Sequence, residues 1–241
     1  MPERTRRPLH REVAEVLSEQ ILSGQYPERS LLPPERALCE QHGVSRTVVR
    51  EAIKLLESRG LVRIDRGRGT VVRGADYDFV MDSLKLLLRR SRHSIEQLLE
   101  VRKVLETGMV ALAAERRTEE NVARMDEALE RMRRSPGEPA GYVDADLEFH
   151  AEIARAAGNP VFLTILEPLA ESLRQSRIAT FSGEATVKVR TRQHEEILDR
   201  IRNHDAAAAQ AAMFRHLSDT EDDLRRHENG DQSRNRAGEG K

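Results

Sequence analysis

The stretch LLPPERALCEQHGVSRTVVREAIKLLESRGLV, residues 31–62, decides the fold of the N-terminal third of the chain. Its paired prolines permit a helix to begin near Glu35, and Gly43 ends that helix. Ser45 is a suitable N-cap for a second helix, which Gly60 ends. Two short helices separated by a tight turn are typical of a helix-turn-helix.

The flanking segments extend this pattern on both sides. Residues 9–24 carry apolar side chains at helical spacing, which predicts a helix before the quoted stretch. After it, LVRI and TVV read as two short strands around the glycine-rich tip DRGRG. Helix, helix-turn-helix and hairpin follow one another in the order of a winged helix-turn-helix. We therefore predict this domain over residues 1–74, followed by a linker over 75–79.

The second helix of the motif carries the side chains suited to reading DNA. Arg46 and Arg50 lie four residues apart and clear of the inward face that holds Val49 and Ile53. Arginine matches the paired acceptors of guanine, and Arg36 in the preceding helix is placed to hold a phosphate or a base edge. The alternative is a helical surface with ordinary solvated arginines. The ordered set of helix, turn, helix and hairpin favours DNA binding.

Charge is distributed unevenly along the chain. Residues 1–74 contain 14 Lys and Arg against 10 Asp and Glu, whereas the remainder contains 26 against 31. A basic first third suggests that the N-terminal part meets a polyanion. Cys39 is the single cysteine, no apolar run approaches the roughly 20 residues that span a bilayer, and no signal peptide is visible. The sequence therefore predicts a cytoplasmic protein without a membrane partner.

From residue 80 onward the sequence has helical periodicity interrupted by turns. This pattern predicts an all-α antiparallel helical bundle over residues 80–228 with a sizeable core. Residues 229–241 contain almost no apolar side chain, which predicts a disordered tail. The predicted fold class is mainly α, with a winged helix-turn-helix and a two-stranded wing ahead of the bundle.

Four polar residues of the bundle fall on faces that should point inward. Asp146 and His150 lie four apart on one apolar helix face, while His194 and His216 lie on the apolar faces of two later helices. Burying an unpaired carboxylate costs several kcal/mol after relaxation, so four such groups suggest a common partner. Three imidazoles and one carboxylate suit a divalent metal ion: zinc is favoured, and nickel, manganese and iron also fit. The alternative is an Asp146–His150 ion pair with the other imidazoles bonded to backbone carbonyls.

Arg102 lies on the inward seam of its helix as well. It can pair with a buried acid such as Glu106, or extend to the rim of the bundle. It can instead clamp the carboxylate of a small effector through two parallel hydrogen bonds.

The motif residues carry a resemblance to a known family. LLPPERALCEQHGVSRTVVREAIKLLESRGLVRIDRGRGTVV resembles the N-terminal domain of the GntR family of bacterial transcription regulators. This resemblance implies DNA contacts by five residues at positions matching the family pattern: Arg36, Arg46, Thr47, Arg50 and Gly67, the last at the wing tip. It also implies a homodimer bound to a palindromic operator in double-stranded DNA.

The C-terminal region is similar to the FCD domain of the FadR branch of that family. The matching segments are EVRKVLETGMVALAAERRTEEN, DLEFHAEIARAAGNP, QHEEIL and RHL. Metal-binding members use an Asp, a His four residues later and two further His, which correspond to Asp146, His150, His194 and His216. Members that bind acyl-coenzyme A lack this set, which argues against a fatty-acyl effector. The family often keeps an Arg near its effector pocket at the position of Arg102, which favours the clamp.

These features predict a transcription regulator, acting as a repressor, rather than an enzyme. A small carboxylate such as a sugar acid or hydroxy acid would complete the metal shell and modulate operator binding. One alternative is a regulator for which the metal itself is the signal. Another is a helical metallohydrolase, suggested by the dipeptide His204–Asp205, although that dipeptide precedes an alanine run and is typical of a helix cap. The winged helix-turn-helix argues against catalysis.

Overall fold

The computed structural model describes residues 8–74, 77–90, 94–135, 137–179, 181 and 184–238. The chain divides into two compact units, Met1–Phe79 and Val80–Lys241. The elements in the described residues are ten helices and one two-stranded antiparallel sheet. This confirms the mainly α fold class predicted from the sequence.

The first unit contains three helices and the sheet. Its elements in chain order are α1 (Leu9–Leu22), α2 (Glu35–His42), α3 (Arg46–Ser58), β1 (Val62–Asp65) and β2 (Gly69–Val72). Strands β1 and β2 pair antiparallel, with Val62 opposite Val72 and Asp65 opposite Gly69. The order and pairing are those of a winged helix-turn-helix, as the sequence predicts.

Local sequence explains the turn between α2 and α3. Gly43 adopts a left-handed conformation with φ of 64°, where a residue without Cβ meets no steric penalty. Two residues later, the Ser45 side chain accepts a hydrogen bond from the Val48 backbone N–H at 3.4 Å and caps α3. These contacts fix where α3 begins. Val49 and Ile53 of α3 are buried.

The second unit is a bundle of long helices. They are α4 (Tyr77–Arg90), whose first three residues belong to the first unit, α5 (Ile95–Arg116), α6 (Glu119–Arg134), α7 (Pro139–Ala156), α8 (Pro160–Ala179), α9 (Glu184–Arg202) and α10 (Ala206–Gly238). One apolar core joins α5, α6, α7, α9 and α10, with α8 contributing Leu166. Serine and threonine capping boxes begin α5 and α6. The three helices that carry the candidate metal ligands, α7, α9 and α10, therefore all contribute side chains to this core.

Two boundaries differ from the sequence prediction. Helix α4 begins at Tyr77, inside the segment 75–79 predicted as a linker, and residues 75–76 lie outside the described residues. Helix α10 continues to Gly238, so a helix occupies most of the segment 229–241 for which a disordered tail was predicted; residues 239–241 lie outside the described residues. Residues 229–238 contain no proline, so each of them can continue a helix that the residues before them have already nucleated. Over the described residues, no helix is long and apolar enough to cross a membrane.

Candidate metal centre

Four polar side chains from three helices meet inside the bundle. Asp146 and His150 come from α7, His194 from α9 and His216 from α10, and one ligand atom of each lies within 4.8 Å of the others. All four residues are at most 1% exposed. The inward orientation predicted from helical spacing is thus confirmed, and metal binding by this set stays a prediction.

Each histidine ring presents its Nδ1 to an acceptor outside the cluster. Nδ1 of His194 lies 2.8 Å from the Arg190 carbonyl oxygen, and Nδ1 of His216 lies 3.2 Å from Oε1 of Gln193. Nδ1 of His150 contacts the carboxylate of Glu106. A neutral imidazole that donates from Nδ1 keeps its lone pair on Nε2. Metal-binding histidines usually have such an acceptor behind the ring, which fixes the tautomer.

The opposite ring nitrogens are directed at Asp146. Nε2 of His194 lies 3.2 Å from one Asp146 oxygen, and Nε2 of His150 lies 3.8 Å from the other. These two nitrogens and Oδ1 of Asp146 are buried and make no hydrogen bond of good geometry within the described residues. A buried polar atom without a hydrogen bond costs about 1–3 kcal/mol. A cation bound between them would satisfy these atoms together, so the residues present fit a divalent metal ion.

The charge states of the cluster suit a cation. Burial opposes ionisation of Asp146, but the Arg177 guanidinium and the contact with His194 outweigh it and hold the pKa of that carboxyl well below its usual range. Burial lowers the pKa of both His194 and His216, and neighbouring histidines lower that of His216 further. At neutral pH the cluster therefore offers a carboxylate and two neutral imidazoles, which are the forms that bind metals.

A second buried group adjoins the cluster on α5. Arg102 is 1% exposed, and its Nε donates to Oε1 of Glu106 at 2.5 Å. Burial alone would raise the pKa of Glu106, but Arg102 and His150 lower it to about 2. Nη1 and Nη2 of Arg102 are buried and have no hydrogen-bond partner within the described residues. Arg102 therefore pairs with Glu106, which is one of the two roles predicted from the sequence. Its Nη1 and Nη2 donors are still available for the second predicted role, in which Arg102 binds an effector carboxylate.

Arg177 is a site residue that sequence reasoning missed. It is 2% exposed, and its Nη2 lies 2.6 Å from Oδ2 of Asp146. The signal was available, because Leu166, Ala170 and Leu173 precede Arg177 at spacings of four, three and four along α8, and all are buried. An arginine at the end of such a seam faces inward for the same reason that Asp146 does.

All five predicted DNA-contacting residues lie on the surface of the first unit. Arg36, Arg46, Thr47 and Arg50 are exposed, and Gly67 is exposed in the wing turn with φ of 82°. Nε of Arg50 lies 3.0 Å from both carboxylate oxygens of Glu35. Nε of Arg36 lies 3.1 Å from Glu40. Exposed ion pairs of this kind contribute about 0–1 kcal/mol, so both arginines can exchange them for DNA contacts at little cost.

The dipeptide that suggested a hydrolase serves another purpose. The Asp205 side chain accepts a hydrogen bond from the Ala208 backbone N–H at 3.0 Å and caps α10. Nδ1 of His204 lies 2.7 Å from the Ala114 carbonyl oxygen. Neither residue belongs to the four-residue cluster. This agrees with the cap expected from the sequence.

Glu106→Gln is expected to weaken metal binding by about 10- to 100-fold, because the neutral amide is a poorer acceptor for the His150 ring. Competition with a chromogenic zinc chelator measures the change. Glu130→Gln, at an exposed acid on α6, is the matched control and should leave the affinity unchanged. An unaltered affinity for folded Glu106→Gln protein would show that this carboxylate does not support a metal ligand.

The chain joins a winged helix-turn-helix, with exposed arginines on α3, to a helical bundle with a buried polar cluster. This is the architecture of a transcription regulator. Residues 9–72 match the bacterial regulatory proteins of the gntR family, and residues 97–219 match the FCD domain. The chain belongs to the GntR family of transcription regulators, in the group that carries an FCD domain.

Relatives of known name agree with this assignment. The chain is 34% identical over 209 residues to the HTH-type transcriptional regulator LutR of Bacillus subtilis, covering 85% of this chain and 95% of LutR. It is 32% identical over 223 residues to the HTH-type transcriptional repressor NanR of Cronobacter sakazakii, covering 88% of this chain and 86% of NanR. Among solved structures, Streptococcus agalactiae GntR superposes with a TM-score of 0.59 at 25% identity, covering 88% of this chain and 98% of that one. Family and relatives are DNA-binding regulators, not enzymes.

Proposed function

We propose that this regulator is a repressor whose operator affinity is set by a small carboxylate bound at a metal ion in the FCD domain. The observation that carries the proposal is the buried cluster of Asp146, His150, His194 and His216, whose ligand atoms converge within 4.8 Å. Zinc is the metal we favour because nitrogen donors predominate in the set; nickel, manganese and iron accept the same donors. The metal would supply a Lewis-acidic position for an oxygen anion.

The two buried arginines indicate the chemistry of the effector. Nη1 and Nη2 of Arg102, which have no hydrogen-bond partner among the described residues, form a fork suited to a carboxylate. Arg177 adds a second guanidinium beside Asp146. A sugar acid or hydroxy acid brings both a carboxylate and a neighbouring hydroxyl to such a site. We propose an effector of this class, which must bind two conformations of the protein with different affinity in order to switch it.

The DNA-bound form that we propose is a homodimer on a palindromic operator, with Arg36, Arg46, Thr47, Arg50 and Gly67 of each protomer at the DNA. This arrangement follows the family, in which a two-fold protein reads two half-sites. A regulator of this kind acts where the chromosome is, so we place it in the cytoplasm.

A metal-sensing regulator is the second candidate. The observation that favours it is the burial of all four ligands, which together are sufficient to close a tetrahedral shell around zinc. In a sensor, the metal alone would change operator affinity, and a carboxylate would have no further effect. In the carboxylate-responsive regulator, the metal stays bound while the carboxylate produces the change.

A thermal-shift screen separates the two candidates. Metal-free and zinc-loaded protein are heated with lactate, glycolate, gluconate and glucuronate, and with glycerol and glucose as uncharged controls. At about 100 times its dissociation constant, a bound ligand stabilises the folded state by about 2.7 kcal/mol, which raises the Tm by about 5–10 °C for a domain of this size. We expect such a rise for one or more acids, and only with zinc.

Arg102→Lys is the matched variant for this screen, because lysine keeps the positive charge beside Glu106 but lacks the planar fork. It should retain zinc and lose most of the carboxylate-dependent rise. No zinc-dependent rise with any acid would exclude the carboxylate proposal for this class. A zinc-dependent change in DNA affinity without any carboxylate effect would favour the sensor.

A further inference from the structure

The outer face of the wing sheet is a second basic surface, separate from the recognition helix. Val62 and Val72 lie opposite each other in the ladder and pack into the apolar core of the first unit. Arg63 lies opposite Val71, which forms an isolated bridge to Leu31 on its other side. Because side chains alternate along strands, Arg63 and Val71 belong to the face turned away from the Val62–Val72 row.

This face is concave and rich in arginine. A concavity of about 580 Å³ is lined by four arginines, Arg29, Arg63, Arg68 and Arg73, together with the side chains of Tyr77 and Asp78. All the lining residues belong to the first unit. Four guanidinium groups around one surface suit an extended polyanion better than a single small anion.

The charge balance of this face is positive even when the nearby acids are counted. Among the described lining residues, Asp78 is the acidic one, and Asp65 neutralises Arg63 from the strand at 3.1 Å. The Glu28 carboxylate lies beside Gly74 at the edge of the concavity. Four arginines against three carboxylates leave one net positive charge, and the guanidinium groups are the groups with donors for phosphate oxygens.

Arg29 reaches this face from an uncommon backbone conformation. Its φ is 63°, a region that bulky residues seldom occupy, and its backbone N–H donates to the Val72 carbonyl at 2.9 Å. A glycine would adopt this φ without strain, so the conformation alone does not require arginine. The Arg29 side chain lines the concavity.

The concavity is continuous with the wing tip. Arg68 lies in the turn between β1 and β2, where its backbone N–H donates to the Asp65 carbonyl at 3.1 Å, and it also lines the concavity. Gly67, beside it, is the residue expected at DNA. We propose that the outer face of the wing binds the phosphate backbone of duplex DNA next to the half-site, as a second contact surface independent of base sequence. The proposal rests on DNA binding by this family and not on the metal centre.

Binding of a random-sequence duplex of about 40 base pairs at several salt concentrations tests this proposal. Each phosphate contact contributes about 0.9 to the slope of log affinity against log salt. The variant Arg29→Gln/Arg63→Gln/Arg73→Gln is expected to lower the magnitude of this slope by about 2–3, and to weaken binding about tenfold or more at low salt. The loss should be equal on operator and on random DNA, because phosphates carry no sequence information.

The control removes three exposed arginines from a concave surface of the second unit. Arg124→Gln/Arg131→Gln/Arg134→Gln makes the same charge change on a surface that also carries Asp126, Glu127 and Glu130. Its slope should change by less than about 1. An unchanged slope for the wing variant would overturn the proposal.

Arg29→Gly tests the side-chain charge of Arg29 separately from its backbone conformation. Glycine adopts the positive φ more easily, so the variant should melt at the same or a higher temperature than the wild type. The magnitude of its slope of log affinity against log salt should nevertheless fall by about 0.9, the contribution of one phosphate contact. A variant that melts normally and binds DNA like the wild type would remove Arg29 from the proposed surface. Arg46→Ala tests the recognition helix separately, because its loss should be confined to the operator.

Discussion

Alanine at both His150 and His194 is expected to strip the protein of its metal, from about one ion per chain to less than about one tenth. The change removes two of the four convergent donors and leaves Asp146 and His216, which cannot hold a divalent ion tightly against a chelator. Elemental analysis of protein purified without added metal gives the ratio. Circular dichroism checks that the helices are still present.

The matched control is His10→Ala/His42→Ala, which removes the same number of imidazoles from the first unit, to which no residue of the cluster belongs. This protein should keep its full metal content. A His150→Ala/His194→Ala protein that is folded and still carries one ion per chain would refute the ligand set. If the double variant does not fold, the single variants His194→Gln and His216→Gln, which keep a side chain of similar length in place, are expected to lower metal affinity separately.

The second large effect is expected at the recognition helix. Arg46→Ala/Arg50→Ala should lower affinity for an operator obtained by in vitro selection to the level of random DNA, a loss of about 30-fold or more. Each arginine bound to a guanine contributes about 1–3 kcal/mol of discrimination, and the two positions are on one exposed face of α3. Fluorescence anisotropy on operator and scrambled duplexes measures both affinities.

Arg59→Ala is the control for this experiment, because Arg59 lies at the other end of the same helix and is also exposed. Its operator affinity should stay within a few fold of the wild type. Unchanged operator affinity in Arg46→Ala/Arg50→Ala protein would exclude α3 as the base-reading element. Equal losses on operator and scrambled DNA would assign the two arginines to phosphates instead.

The winged helix-turn-helix could be predicted from sequence because its signals are local. Gly43, Ser45 and Gly60 stop or start helices through their own backbone or side-chain chemistry, and α3 begins at Arg46, where the sequence places it. The boundaries that differ lie where local signals are weak. Nothing in residues 229–238 breaks the helix strongly enough to end α10, although a polar composition alone suggests disorder.

The four candidate ligands could also be found from sequence, since each lies on an apolar helix face whose inward side is set by its neighbours. Their surroundings were harder to anticipate. Oε1 of Gln193 on α9 accepts from Nδ1 of His216 on α10, and nothing in the sequence around Gln193 predicts that contact. The acceptor for Nδ1 of His194 is the backbone carbonyl oxygen of Arg190, so the identity of residue 190 does not predict this contact. Contacts of this kind follow from how helices pack, not from the spacing within one of them.

The most direct test of the whole account is operator affinity of zinc-loaded protein with and without the acid that gives the largest thermal shift. Coupling between an effector and a second site is usually about 1–3 kcal/mol, so we predict a change in affinity of about 5- to 150-fold. The same acid should leave the His150→Ala/His194→Ala protein unaffected. An unchanged operator affinity in the zinc-loaded wild type, or an equal change in the variant without its metal ligands, would contradict the account.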